Sequence, residues 1–221
     1  MTVLRIEMLP DADAVARRGA VIVAAAARGA IAERDRFTFA VSGGRTPWAM
    51  FTALAEEDVP WERVTIYQVD ERVAPEGDPD RNLTHLRASL PAAAAADVRP
   101  MPVEAPDLEA AAADYAASLP ARLDLIHLGL GPDGHTASLV PGDPVLDVTD
   151  RDVAVTGVYQ GRRRMTLTYP VLDRARQVLW LVTGTDKVDA LRRLQAGDRS
   201  IPGGRVAAAA VVVADAAAAG G

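Results

Sequence analysis

LIHLGLGPDGHTASLVPG, residues 125–142, is the stretch on which the reading of this chain turns. A largely apolar run of strand length, Leu123 to Leu130, empties into a turn rich in glycine, with Gly129, Gly131 and Gly134. Asp133 and His135 stand in that turn, and Thr136-Ala137-Ser138-Leu139 reads as the start of a short helix. A strand that ends in glycines and opens a helix is where α/β proteins commonly build sites. The helix N-terminus leaves backbone N–H groups unpaired, and glycine lets a ligand approach the main chain. Histidine adds a group that moves a proton near neutral pH. The same residues also fit an ordinary strand–helix turn, with Asp133 as the cap and His135 incidental.

Outward from this stretch, strands and helices alternate. Upstream, strands are expected at Val3–Met8, Arg36–Val41 and Arg63–Val69, and helices from Asp11 to about Ala32, from about Thr46 to Glu57, from Asn82 to about Leu90, and at Leu108–Leu119. Downstream, strands are expected at Val153–Val158, Arg164–Tyr169, Gln177–Thr183 and Ala208–Val213, with a helix at Asp186–Leu194 and an alanine tail from Ala216 that is either a last helix or frayed. This order predicts one α/β domain over residues 1–221: a Rossmann-like, mainly parallel sheet with helices on both faces. In such sheets sites gather at the carboxyl ends of the strands. Three marked turns fall there: Ser42–Thr46, Asp70–Arg72 and Gly131–His135.

Composition narrows the function. A net charge of −6 and a pI near 5.1 leave no basic excess to neutralise phosphates, which argues against nucleic acid as a partner. With no cysteine, disulfides, thiol nucleophiles and cysteine–zinc sites are excluded. Three histidines at no ligand spacing make a zinc site unexpected. The N-terminus does not read as a signal peptide, and Val21–Ala27 is too short an apolar run to span a bilayer, so a cytoplasmic protein is expected. Lys187 is the single lysine among 24 basic residues.

In Ser42-Gly43-Gly44-Arg45-Thr46, successive glycines expose backbone N–H groups, and two hydroxyls add donors that suit a phosphate. A tight turn with Thr46 as helix cap is the plainer alternative, and the spacing is not that of a P-loop. Asp70-Glu71-Arg72 follows a strand, where neighbouring side chains face opposite ways, so one of the two acids can enter a shared cleft. Arg164 leads a strand and can reach inward. Lys187 lies in the first turn of a helix, where a cation is disfavoured unless an anion is bound. His127, inside an apolar strand, reads as a core residue, and His85 as a surface residue or one that supports the site from behind.

Taken together, SGGRTP at 42–47, DER at 70–72 with DPDRN at 78–82, LGLGPDGHTASLVPG at 128–142, RMTLT at 164–168 and GTDK at 184–187 resemble the 6-phosphogluconolactonase family. The resemblance implies a fold shared with glucosamine-6-phosphate deaminases and ribose-5-phosphate isomerases. Departures are Arg81 where serine is common, Val140 where phenylalanine is usual, and no tryptophan around Val211–Asp215.

The resemblance implies hydrolysis of 6-phospho-D-glucono-1,5-lactone without a metal or organic cofactor, by a monomer or small homo-oligomer. His135 would be the general base and Asp133 its orienting group, with the N–H groups of the Gly131–Gly134 turn as oxyanion donors. Ser42, Gly43, Gly44, Arg45, Thr46, Arg72, Arg164 and Lys187 would hold the phosphosugar, and Asp70 its hydroxyls or the attacking water. Two other readings stand beside it. A deaminase–isomerase of the same superfamily would carry glutamate at Val140 and tyrosine at Arg72. A non-catalytic sugar-phosphate sensor would carry a DNA-binding segment, and no basic recognition helix is seen.

Overall fold

The computed structural model describes residues 4–221. The elements run β1 (Leu4–Leu9), α1 (Ala12–Arg34), β2 (Phe37–Val41), α2 (Arg45–Leu54), β3 (Val64–Gln68), β4 (Asp70–Arg72), α3 (Asn82–Ser89), β5 (Asp97–Arg99), α4 (Leu108–Ser118), β6 (Leu125–Gly129), β7 (Val153–Val155), β8 (Arg164–Leu167), α5 (Tyr169–Asp173), β9 (Val178–Val182), α6 (Val188–Gln195) and β10 (Ala210–Asp215). Seven strands form a parallel sheet in the order β1-β10-β9-β6-β2-β3-β5. The expectation of a mainly parallel, doubly covered sheet holds. The expected start of the first strand, Val3, lies outside the described residues.

Side-chain alternation divides the core in two. Phe37, Phe39 and Val41 of β2, with Leu179 and Leu181 of β9, face a layer that includes Val15, Ala20 and Val23 of α1, Met50 and Phe51 of α2, and Leu83 and Leu86 of α3. Ala40, Val178, Trp180 and Val182 face the other way, onto α4, α5 and α6. The alanine-rich α1 lies close to the sheet; a Cβ built on Gly19 would come within 3.0 Å of Leu181 and Met50 side-chain atoms. Asp11 caps this helix through Ala14 N–H at 2.7 Å.

Five features differ from the sequence reading. Asp70–Arg72 is not the tail of β3 but a separate strand in a small antiparallel sheet, β4-β8-β7. The strand expected to run to Tyr169 stops at Leu167 and gives way to the short α5, and β5 is a short edge strand that its charged sequence hid. No helix starts at Thr136: a Thr136–Leu139 bridge closes a tight turn with Ala137 at φ 50. The alanine tail is a single 3-10 turn, Ala217–Ala219.

Candidate active site

The carboxyl ends of β2, β6, β9 and β10 open into a cavity of about 570 Å³, whose wall includes Ser42–Thr46, Asp70, Arg72, Gly131, His135, Arg164 and Lys187. The three turns marked in the sequence therefore meet. Asp133 and Gly134 stand outside the wall: Asp133 lies behind the imidazole, with its Oδ1 2.6 Å from His135 Nδ1 and 3.1 Å from the His135 amide. Burial opposes ionisation of Asp133, but these bonds outweigh it and hold the carboxyl below its ordinary range. Nδ1 so engaged leaves Nε2 as the nitrogen available for proton transfer. A Cβ on Gly131 would fall 2.0 Å from Nδ1, so only glycine admits the ring there.

Two donors expected of this turn are already committed. Gly131 N–H donates to His135 O at 2.8 Å, and Gly134 N–H to Gly131 O at 2.9 Å. With no helix following, neither they nor a helix terminus serve an oxyanion. Ala137 lines the cavity, and its amide makes no hydrogen bond within the described residues.

The loop after β2 is also tied down more than its sequence suggests. Ser42 donates its hydroxyl to His127 O at 2.9 Å and its amide to His127 Nδ1 at 3.4 Å, so its side chain braces the loop. Thr46 Oγ1 lies 2.6 Å from Thr183 Oγ1 and caps nothing. The cap position of α2 is Gly44, at φ 124, and no side chain closes the helix, which leaves its leading N–H groups for an anion. Arg45 is exposed at the rim. Gly43 lets Asn82 come close; a Cβ there would sit 1.8 Å from Asn82 Oδ1.

Asp70 and Glu71 separate as strand geometry requires. Asp70 turns to the cavity, accepting from Ser138 Oγ at 2.6 Å and from Asn82 Nδ2 at 3.3 Å. Glu71, fully buried, accepts from Gln68 Nε2 and the Arg72, Asn82 and Leu83 amides at 2.8–2.9 Å, so it caps α3. Its counterion is Arg81, one of the departures noted in the sequence. Arg81 Nε lies 3.3 Å from Glu71, near enough for an ion pair but at an angle that makes no hydrogen bond.

Arg72 and Arg164 stand directly opposite each other in the β4–β8 register. Like charges so placed repel, and a bound anion would relieve them. Arg72 is held by Asn82 Oδ1, and Arg164 Nη2 donates to Gln160 Oε1 at 3.0 Å, with its Nε buried and unpartnered. Burial draws the Arg164 guanidinium down, and Asp70 pulls it back up. Lys187 joins the wall from the turn before α6, its charge met by Asp186 at 2.9 Å. Asp215, at the end of β10, accepts from Gly184 N–H and so sets that turn.

Asn82, Ser138 and Asp215 escaped the sequence reading as site residues. Asn82 stood within a quoted motif, and Asp215 is a lone carboxylate closing the last strand; both were visible signals. Of the remaining histidines, His85 stacks on Trp48 with ring centroids 3.8 Å apart, and His127 is buried. Among the described residues no group of three or more His, Cys, Asp or Glu side chains is placed to hold a metal ion, and no helix is long and apolar enough to cross a membrane.

The model of the glucosamine-6-phosphate isomerases/6-phosphogluconolactonase family matches residues 10–214. The chain belongs to that family. A 6-phosphogluconolactonase of Synechocystis sp. is 39% identical over 204 residues, 85% of this chain and 83% of that one. One from Pseudomonas aeruginosa is 38% identical over 187 residues, 80% and 79% of the two chains. Among solved members of the family, the 6-phosphogluconolactonase of Thermotoga maritima superposes with a TM-score of 0.87 at 26% identity, covering 96% of this chain and 99% of that one. A monomeric glucosamine-6-phosphate deaminase superposes at 0.85 with 18% identity over 98% and 99% of the chains, which shows the shared fold.

Proposed function

We propose that this chain hydrolyses 6-phospho-D-glucono-1,5-lactone to 6-phosphogluconate, with His135 as general base. The observation that carries the assignment of the base is the Asp133–His135 pair, 2.6 Å apart, whose imidazole lines a cavity shared with Arg72, Arg164 and Lys187. Water attacks the lactone carbonyl carbon while His135 Nε2 takes its proton, and the carbonyl oxygen becomes an oxyanion. We assign that oxyanion to the open Ala137 amide. Collapse breaks the bond from the carbonyl carbon to the ring oxygen, and the imidazolium returns its proton to that oxygen. Arg164, Lys187, Arg45 and the open start of α2 hold the phosphate, with Gly43 and Gly44 shaping the loop. Arg72 neutralises charge beside Arg164, and Asp70, fixed by Ser138 and Asn82, receives a sugar hydroxyl or the water. The partner is thus a small phosphosugar lactone.

A deaminase needs a titrating group where this chain has Val140, which is buried and apolar. Four relatives at 33–41% identity bear the lactonase name. The deciding experiment is acid release from freshly made 6-phosphogluconolactone against its spontaneous opening. Rates equal to the spontaneous one, with phosphosugar still bound, would instead describe a sensor.

A further inference from the structure

The hairpin joining β7 to β8 places on this site an aromatic residue that no motif marks. Tyr159 N–H donates to Arg162 O at 3.0 Å, and Arg162 N–H returns to Tyr159 O at 3.3 Å. Gln160 and Gly161 between them have φ 52 and 80, a two-residue turn of the I′ kind. Arg162 fastens the hairpin to the loop before α3, with Nε 3.0 Å from Asp80 Oδ2 and Nη2 3.1 Å from Asp78 Oδ2. So held, the Tyr159 ring lies 5.6 Å from the His135 ring at an interplanar angle of 65°, and the Arg164 guanidinium sits 5.0 Å from its centroid.

We propose that Tyr159 is a positioning residue for the hydrolysis, holding the imidazole for proton transfer and the Arg164 guanidinium for the phosphate. This rests on His135 as base and Arg164 as phosphate ligand. Asp133 fixes Nδ1 and Gly131 backs the imidazole, and Tyr159 adds a third restraint, an edge contact against the ring. Arg164 has no carboxylate within ion-pair distance among the described residues, so Gln160 Oε1 and the Tyr159 ring are what hold it. The tyrosine hydroxyl makes no hydrogen bond there, so the ring is the working part.

Aromatic and cation–π contacts of this kind correspond to roughly three- to tenfold in rate or affinity. Tyr159→Ala should therefore lower kcat and raise KM by about that factor each, while Tyr159→Phe keeps both. In a His135→Asn background, Tyr159→Ala should raise KM but leave kcat where His135→Asn put it, because the ring it orients no longer takes a proton. Tyr159→Leu serves if the alanine variant fails to fold. Wild-type constants in Tyr159→Ala, or the same drop in kcat in both backgrounds, would overturn the proposal. Should His135→Asn alone keep wild-type kcat, the base assignment falls first and the proposal with it. A crippled His135→Asn beside an unaffected Tyr159→Ala rejects Tyr159 alone.

Discussion

His135 and His127 stand on one strand-and-turn segment and behave in opposite ways. His135 meets solvent with one nitrogen anchored, and Asn in its place keeps some hydrogen bonding but cannot titrate. Loss of general base catalysis typically costs about 10²–10⁴-fold, so kcat of His135→Asn should fall by that order. Near-normal kcat in that variant would move the base elsewhere, Asp70 first. His127 is buried, and burial alone pushes it from 6.5 down to about 3. Between those values the unfolded chain binds a proton that the fold excludes. Stability is then greatest above pH 6.5 and is lost as pH falls toward 3. The loss is at most about 1.4 kcal/mol per pH unit. Melting temperatures from pH 7 to 4.5 should drop less steeply in His127→Gln than in wild type, and parallel curves would contradict the burial argument.

Glu71 shows how a side chain away from the cavity supports it. Its carboxylate replaces the absent side-chain cap of α3 and fixes Asn82, which in turn holds Asp70 and Arg72. Breaking such a buried pair typically costs about 3–5 kcal/mol. In a chain of this size that is roughly 10 °C in Tm, so Glu71→Ala should melt about that much lower; an unchanged Tm would deny it the capping role. The parallel sheet and its three turns could be read from the sequence because apolar strand runs and glycine turns are local signals. The small sheet β4-β8-β7 was hidden, since its pairing joins Asp70 to Thr166, far apart along the chain, and Val69 alone separates β3 from β4. Likewise, GHTAS carries no mark that Thr136 bridges to Leu139 and so forbids a helix. Ser42 resembles a ligand donor in sequence, and only the fold brings His127 O beneath its hydroxyl.

The assembled cavity takes its cations from different layers: Arg72 and Arg164 from the small sheet, Lys187 from the turn after β9. A ligand spanning them stabilises the native state as a whole, by about 2.7 kcal/mol at a hundredfold excess over Kd. 6-Phosphogluconate should therefore raise Tm in a concentration-dependent way. Lys187→Ala and Arg164→Ala should need more of it, each charge-assisted contact being worth roughly 1.5–3 kcal/mol. Thermal shifts identical to wild type in both variants would place the phosphate elsewhere. The register of β1 has a further outcome, in the order of biosynthesis. Leu4 pairs with Ala210, so β1 finds its partner only after every other strand of the sheet has been made. Until then Ile6 and Met8 lie on an unpaired strand, and Asp215 is not yet there to set the Lys187 turn. A nascent chain halted before β10 can carry the His135 loop and still lack the contact that sets the Lys187 turn, so the cavity wall closes only once β10 is made.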